Sequence, residues 1–226
     1  MSADFAATRT AYSSTYPGSP FFETWVPEEK FLTAEFDSAG NFVISREDDG
    51  IYGLALGENP TIPKEWKNFS MESRGIQKLP REFKVVVEWD CYWAPTINGN
   101  FEIGDQSTDE VIHTFLRTHA PDSSVYPGND EILQWIQLHD QGELVAVAAL
   151  CRWQSGRVVI SSVATHAEHR GKGYGKTLMK NCLIAGAELG EKYLSLGVRH
   201  ENESAQRLYA SMGFRLMHNF TYCERR

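Results

Sequence analysis

His169-Arg170-Gly171-Lys172-Gly173-Tyr174-Gly175-Lys176 is the stretch on which the reading of this 226-residue chain turns. Its three glycines at alternate positions let the backbone turn tightly and aim several N–H groups in one direction. A β-branched apolar run, Arg157–Thr165, precedes it and reads as a strand. Helical periodicity follows: Leu178, Met179, Cys182, Leu183 and Leu189 recur on one face across Gly175–Leu189, and Gly190 is a natural stop. The unit is therefore strand, glycine turn, helix, with unpaired amides and the positive end of the helix dipole at the turn. Arg170, Lys172 and Lys176, with Lys180 beyond them, make a basic island in a chain carrying 22 Lys+Arg against 30 Asp+Glu, a net charge of −8. A diphosphate suits that environment.

Two common phosphate loops do not fit. A Walker-type loop needs a glycine five residues before Gly175-Lys176-Thr177, where Arg170 stands. A dinucleotide fingerprint would put its third glycine at Lys176. The acidic balance argues against general nucleic-acid binding, which needs basic surface to neutralise phosphates. The N-terminus, Met1-Ser2-Ala3-Asp4-Phe5, lacks a basic segment followed by an apolar core, so no secretory signal is expected. The longest apolar run, Leu144–Cys151, is too short to cross a bilayer. Cys91, Cys151, Cys182 and Cys223 are scattered, with no C-x-x-C pair and no histidine at metal-ligand spacing. Reduced, buried thiols, no metal and a cytoplasmic location are the expectations.

Downstream of the helix, Tyr193–Val198 reads as a strand. Asn202 can cap a helix carrying Ala205, Leu208, Tyr209 and Met212 and ending at Gly213, and a strand should return from Phe214 onward. Upstream, Ser107-Thr108-Asp109-Glu110 has the capping-box pattern, and Val111, Ile112, Phe115 and Leu116 follow at helical spacing until Ala120-Pro121. A second short helix is expected from Asn129 or Asp130 into Trp135. Turns at Asp140-Gln141-Gly142 and Gln154-Ser155-Gly156 bracket strands Glu143–Cys151 and Arg157–Thr165, an antiparallel meander. Nearer the N-terminus, Gly50–Gly57 and Glu82–Trp89 read as strands, and Pro95–Asn100 as a linker or turn.

Arg170-Gly171-Lys172-Gly173-Tyr174-Gly175 resembles the coenzyme A diphosphate loop of the GNAT superfamily of acetyltransferases. The resemblance takes in the strand feeding it, Val158–His166. It also takes in the segment Asn202–Phe214, with its Asn, Tyr and Gly-Phe at the family's spacing. It covers about residues 105–222. One departure is Ala167, where the family commonly has proline. The resemblance implies an α+β fold, a central, mostly antiparallel twisted sheet flanked by helices. It places a GNAT domain over residues 99–226 beside an N-terminal α/β lobe, 1–98, read as a degenerate copy of the fold or a companion lobe.

It also implies a chemistry: an N-acetyltransferase with acetyl-CoA as co-substrate and no metal. Attack of an amine on a thioester needs a neutral amine, a donor for the developing oxyanion and a proton for the departing sulfur. By resemblance, Val163, Ala164 and Thr165 offer main-chain contacts to the pantetheine arm, Asn202 adds a hydrogen bond, and Arg170, Gly171, Lys172, Gly173, Tyr174, Gly175 and Lys176 hold the diphosphate. Tyr209 is the proton donor. No residue is singled out as general base among His166, Glu168, His169, Ser161 and Ser162. The expected acceptor is a primary amine on a small molecule or peptide, drawn from a pocket that Tyr126-Pro127-Gly128 and the N-terminal lobe help to form. No nucleic-acid or membrane partner is expected, and a homodimer is left open. A coenzyme-binding sensor without turnover is the alternative reading.

Overall fold

A computed structural model describes residues 3–101 and 104–226. In chain order the elements are α1 (Phe5–Thr15), α2 (Phe21–Trp25), β1 (Phe31–Phe36), β2 (Phe42–Glu47), β3 (Ile51–Leu56), β4 (Asn68–Glu72), β5 (Phe83–Pro95), α3 (Asp109–His119), β6 (Ile132–Asp140), β7 (Glu143–Arg152), β8 (Val158–Thr165), α4 (Tyr174–Glu188), β9 (Tyr193–Arg199), α5 (Glu203–Ser211) and β10 (Arg215–Arg225). The fold is mixed α+β, large sheet with flanking helices, as the sequence implied. Two compact units divide it. One holds Met1–Cys91, Gly197–Glu203 and Leu216–Arg226; the other holds Tyr92–Leu196 and Ser204–Arg215. No helix among the described residues is long and apolar enough to cross a membrane.

In the first unit, Asp4 caps α1 by accepting from the Ala7 N–H at 2.8 Å. The antiparallel ribbon β1-β2-β3 follows, and β4 runs parallel to β3. Segment 216–225 of β10 pairs antiparallel with β4, from Phe220 opposite Glu72 to Glu224 opposite Asn68. Trp66, Phe69, Met71 and Phe83 fill the core here. A polar network sits beside that core. His218, 2 % exposed, takes Tyr12 Oη at 2.7 Å on one ring nitrogen and Glu72 Oε1 at 2.5 Å on the other. The Gly57 N–H and the Arg74 guanidinium complete the Glu72 carboxylate. Burial pushes that carboxyl up, but these bonds and the His218 ring outweigh it and hold it below its ordinary range.

In the second unit, β6-β7-β8 form the antiparallel meander expected from the two turns, and β9 runs parallel to β8. Ile112, Phe115 and Leu116 of α3 pack on Val147 and Ala164. Helix α4 ends as its glycine predicts: Gly190 takes φ +82°, and its N–H donates to Ala187 O.

Three expectations are corrected. Residues 132–140 are strand β6, not the end of a helix begun at Asn129 or Asp130. The Asn129 carboxamide accepts from the Tyr126 N–H at 2.9 Å, three residues back, so it closes a turn and caps nothing ahead of it. The capping box before α3 is not made either. Thr108 is the N-cap without a side-chain bond, while Ser107 Oγ bonds His139 Nε2 at 2.9 Å. The strand Glu82–Trp89 also proves longer, continuing as β5 to Pro95, and the supposed linker beyond it is tied down by Thr96 N–H to Lys192 O.

Candidate functional site

The site begins where β8 and β9 part. Val159 opposite Ser195 is the register pair that holds these parallel strands together. Farther along, β8 keeps its other neighbour, with Ala164 opposite Val147 and Thr165 opposite Ala146. The His166 N–H donates to Val145 O at 2.8 Å. Backbone polar groups alternate sides along a strand, so those of His166 and Ala164 face β7, and those of Thr165 and Val163 face the side that β9 has left. The splay thus turns Val163 and Thr165 into outward-facing main-chain donors and acceptors, while Ala164 is buried at 4 %.

A bulge makes this possible. Between the pairs Ala149–Ser161 and Val147–Ala164, two residues of β8 oppose one of β7. Ser162 carries the kink at φ +52°, a left-handed conformation that costs a non-glycine residue about 1–2 kcal/mol. Its hydroxyl offsets the cost by donating to Val125 O at 2.8 Å and accepting from the Val125 N–H at 3.1 Å. Sequence reasoning named Ser162 only as a weak base; nothing in a serine on a strand announces a bulge.

After Thr165 comes a 3-10 turn, Ala167–His169, then the glycine loop and α4. Gly173 is the N-cap of α4 at φ +93°, with no side chain capping the helix. The first four amides of a helix lack intrahelical partners, so the loop presents a row of N–H groups at the positive end of α4. A Cβ built on Gly171 or Gly173 meets nothing within 4 Å, whereas one on Gly175 would lie 3.1 Å from Leu208 of α5. Open space thus lies over the first two glycines and packing under the third. Lys172 and Lys176 are exposed. Helix-end amides, open volume and exposed cations suit a diphosphate.

Three anchors hold the loop. Arg170 donates from Nε to Thr165 O at 3.4 Å and from Nη2 to His119 O at 3.2 Å, bracing the turn with its side chain. Tyr174 Oη donates to Asp140 Oδ2 at 2.8 Å, a bond that raises the phenol's pKa. Three imidazoles lie alongside: His119 and His166 have ring centroids 4.2 Å apart, and those of His166 and His169 are 5.1 Å apart. Burial, then His166 and Arg170, lower the His119 pKa. In sequence Asp140 read only as a turn residue and His166 and His169 only as candidate bases; their assembly with His119 carries no motif. No group of three or more His, Cys, Asp or Glu among the described residues is placed to hold a metal ion.

Tyr209 lies on α5, next to the Leu208 that meets Gly175. Its ring is 4 % exposed and packs near Tyr92 and Phe214, with centroids 6.1 and 5.7 Å away. Burial, and secondarily Cys182, raise its pKa well above 10, so the phenol keeps its proton at any ordinary pH. Asn202 belongs to the first unit. It stands immediately before α5, and its N–H donates to Arg199 O at 3.0 Å.

The family model described as Acetyltransferase (GNAT) family matches residues 105–214. Uncharacterized N-acetyltransferases of Mycobacterium bovis and Mycobacterium tuberculosis are 35 % identical over 78 residues, which is 34 % of this chain and 49 % of theirs. The chain thus spans about half the length of these curated relatives. Among solved structures, a GCN5-related N-acetyltransferase from Sphaerobacter thermophilus aligns with TM-score 0.58 at 13 % identity over 97 % of this chain and 91 % of that one. One from Kribbella flavida gives 0.55 at 13 % identity over 97 % and 95 %. At such identities the likeness is one of fold.

Proposed function

We propose that this chain, whose residues 105–214 match the GNAT acetyltransferase family, transfers the acetyl group of acetyl-CoA to a primary amine of a small molecule or peptide. The observation that carries this reading is the opening between β8 and β9, which ends in the amide-lined glycine loop.

Coenzyme A supplies the acyl group as an activated thioester. The N–H groups of Gly171 to Lys176 hold its diphosphate, with Lys172 and Lys176 adding charge, and Arg170 keeps the turn in shape. The main chain of Val163 and Thr165 takes the place of a missing β9 partner for the pantetheine arm. Positioning of this kind converts an encounter into a near-unimolecular step. Tyr209 Oη holds the proton destined for the departing sulfur. The phenol carries that proton at neutral pH, and because burial makes it a weaker acid, transfer has to be concerted with departure of the increasingly basic sulfur. The N-terminal lobe, residues 1–98, is the companion half of the same enzyme.

The test is direct: incubate the protein with acetyl-CoA and a panel of amines and titrate free thiol. Amine-dependent thiol release supports the transferase. Coenzyme binding with no thiol release for any amine would favour a sensor instead.

A further inference from the structure

We propose that Asp140, at the tip of the β6–β7 hairpin, is a positioning residue for the coenzyme: its carboxylate braces the glycine loop at both ends and so presets the loop's amides. This rests on the coenzyme reading above. Residues 170–173 run between His169 and Tyr174, and one carboxylate oxygen meets both. Tyr174 Oη donates to Asp140 Oδ2 at 2.8 Å, and His169 Nε2 lies 3.7 Å from the same oxygen. The two rings stand edge to face with centroids 5.7 Å apart. The Asp140 side chain is 40 % exposed, so water screens its charge contact with His169, and the Tyr174 bond is the stronger brace. Tyr174 is the first residue of α4, directly after the N-cap Gly173. Fixing its side chain fixes the helix end whose amides lack intrahelical partners.

The carboxylate stands on a rigid base. Asp140 pairs with Glu143 across a two-residue turn, with Gln141 at φ +51° and Gly142 at φ +85°. Positive φ at both central residues marks the type I′ turn, whose twist matches that of the flanking strands. The same hairpin holds the exit of β8: Val145 O accepts from the His166 N–H at 2.8 Å, and Ala146 pairs with Thr165. One hairpin thus sets both the strand end that leads into the loop and the helix start that leaves it. A loop held in its bound shape loses less freedom when the ligand arrives, and affinity rises accordingly. On charge alone the placement is unfavourable. A carboxylate beside a diphosphate site repels the ligand, so bracing and repulsion act on affinity with opposite signs. Side-chain replacement separates them: asparagine keeps an oxygen for Tyr174 Oη and removes the charge, whereas alanine removes both.

Calorimetric titration with coenzyme A of the unaltered protein, Asp140→Ala, Asp140→Asn and Tyr174→Phe tests the brace, with thermal unfolding of each alongside. Asp140→Ala and Tyr174→Phe should each weaken binding about three- to tenfold. The double variant Asp140→Ala/Tyr174→Phe should be no weaker than either, because both changes remove one bond. Asp140→Asn should bind at least as tightly as the unaltered protein, a rescue that loss of general stability would not produce. Alanine binding as tightly as aspartate would overturn the proposal, and so would asparagine binding as weakly as alanine. Should Asp140→Ala not fold, Tyr174→Phe decides, since it keeps the ring and removes only the hydroxyl; unchanged affinity there would refute the brace. Absence of coenzyme binding by the unaltered protein would instead strike at the coenzyme reading itself, and the positioning role would fall with it.

Discussion

Each unit contains a three-stranded antiparallel ribbon followed by a parallel fourth strand, β1-β2-β3 then β4 in one and β6-β7-β8 then β9 in the other. The two differ at the last step. Strands β3 and β4 stay paired from Tyr52–Asn68 through Ala55–Met71, whereas β8 and β9 meet at Val159–Ser195 and diverge. The connection from β3 to β4, residues 57–67, has no helix, while residues 166–192 carry the glycine loop and α4. Where a Cβ at Gly173 finds open space, one at Gly53 would run into the Trp66 ring at 2.3 Å. One arrangement of strands has been closed by packing, the other held open by a bulge. The difference is one of packing: the Trp66 ring fills the space at Gly53 of β3, while the space over Gly171 and Gly173 stays open.

The largest expected effect breaks the closed half. Glu72→Ala leaves His218, the Gly57 N–H and Arg74 without their shared acceptor, and urea unfolding should show a loss of about 3–5 kcal/mol. A loss below about 1 kcal/mol would mean the network is idle. Tyr209→Phe, in the open half, should slow turnover about 100-fold with coenzyme affinity unchanged, as steady-state rates and calorimetry would report. Full activity would remove Tyr209 from the chemistry.

A glycine pair sharpens the contrast. Gly53→Ala should lower stability by about 1–3 kcal/mol through overpacking against Trp66 and spare coenzyme binding. Gly173→Val, free of any neighbour but at positive φ, should retain the fold and lose coenzyme affinity, measured by denaturation and calorimetry side by side. The smallest effect is on pH dependence. The Glu72 carboxyl is held below its ordinary value in the fold, so its contribution is present above about pH 4.5 and is lost as pH falls through the depressed value. Stability measured down the acid range should show that decline, and Glu72→Gln should flatten it.

The open half was largely legible in sequence because its signals are local. Alternate glycines mark the loop, the 3.6-residue period marks α4, and Gly190 and Gly213 mark the ends of α4 and α5. What escaped was set by distant partners. Asn129 reads equally as a helix cap or a turn residue, and only its bond to the Tyr126 N–H decides. The bulge at Ser162 is fixed by Val125, 37 residues away, and a serine at positive φ leaves no mark in sequence. Asp140 bonds Tyr174 across a comparable gap of 34 residues. In the closed half, the pairing of β4 with the C-terminal strand and the union of Tyr12, Glu72 and His218 depend on residues up to 206 apart, beyond the reach of any periodicity. The parting of β8 from β9 is likewise a relation between strands and is not encoded in either one alone.

Backbone amide NMR, with coenzyme A titrated into the isotope-labelled protein, puts the cradle itself to the proof. The account predicts that the N–H signals of Gly171, Gly173, Gly175 and Lys176 move together and saturate with one ligand, followed by those of Val163 and Thr165. Saturable binding that left those amides unmoved would contradict it.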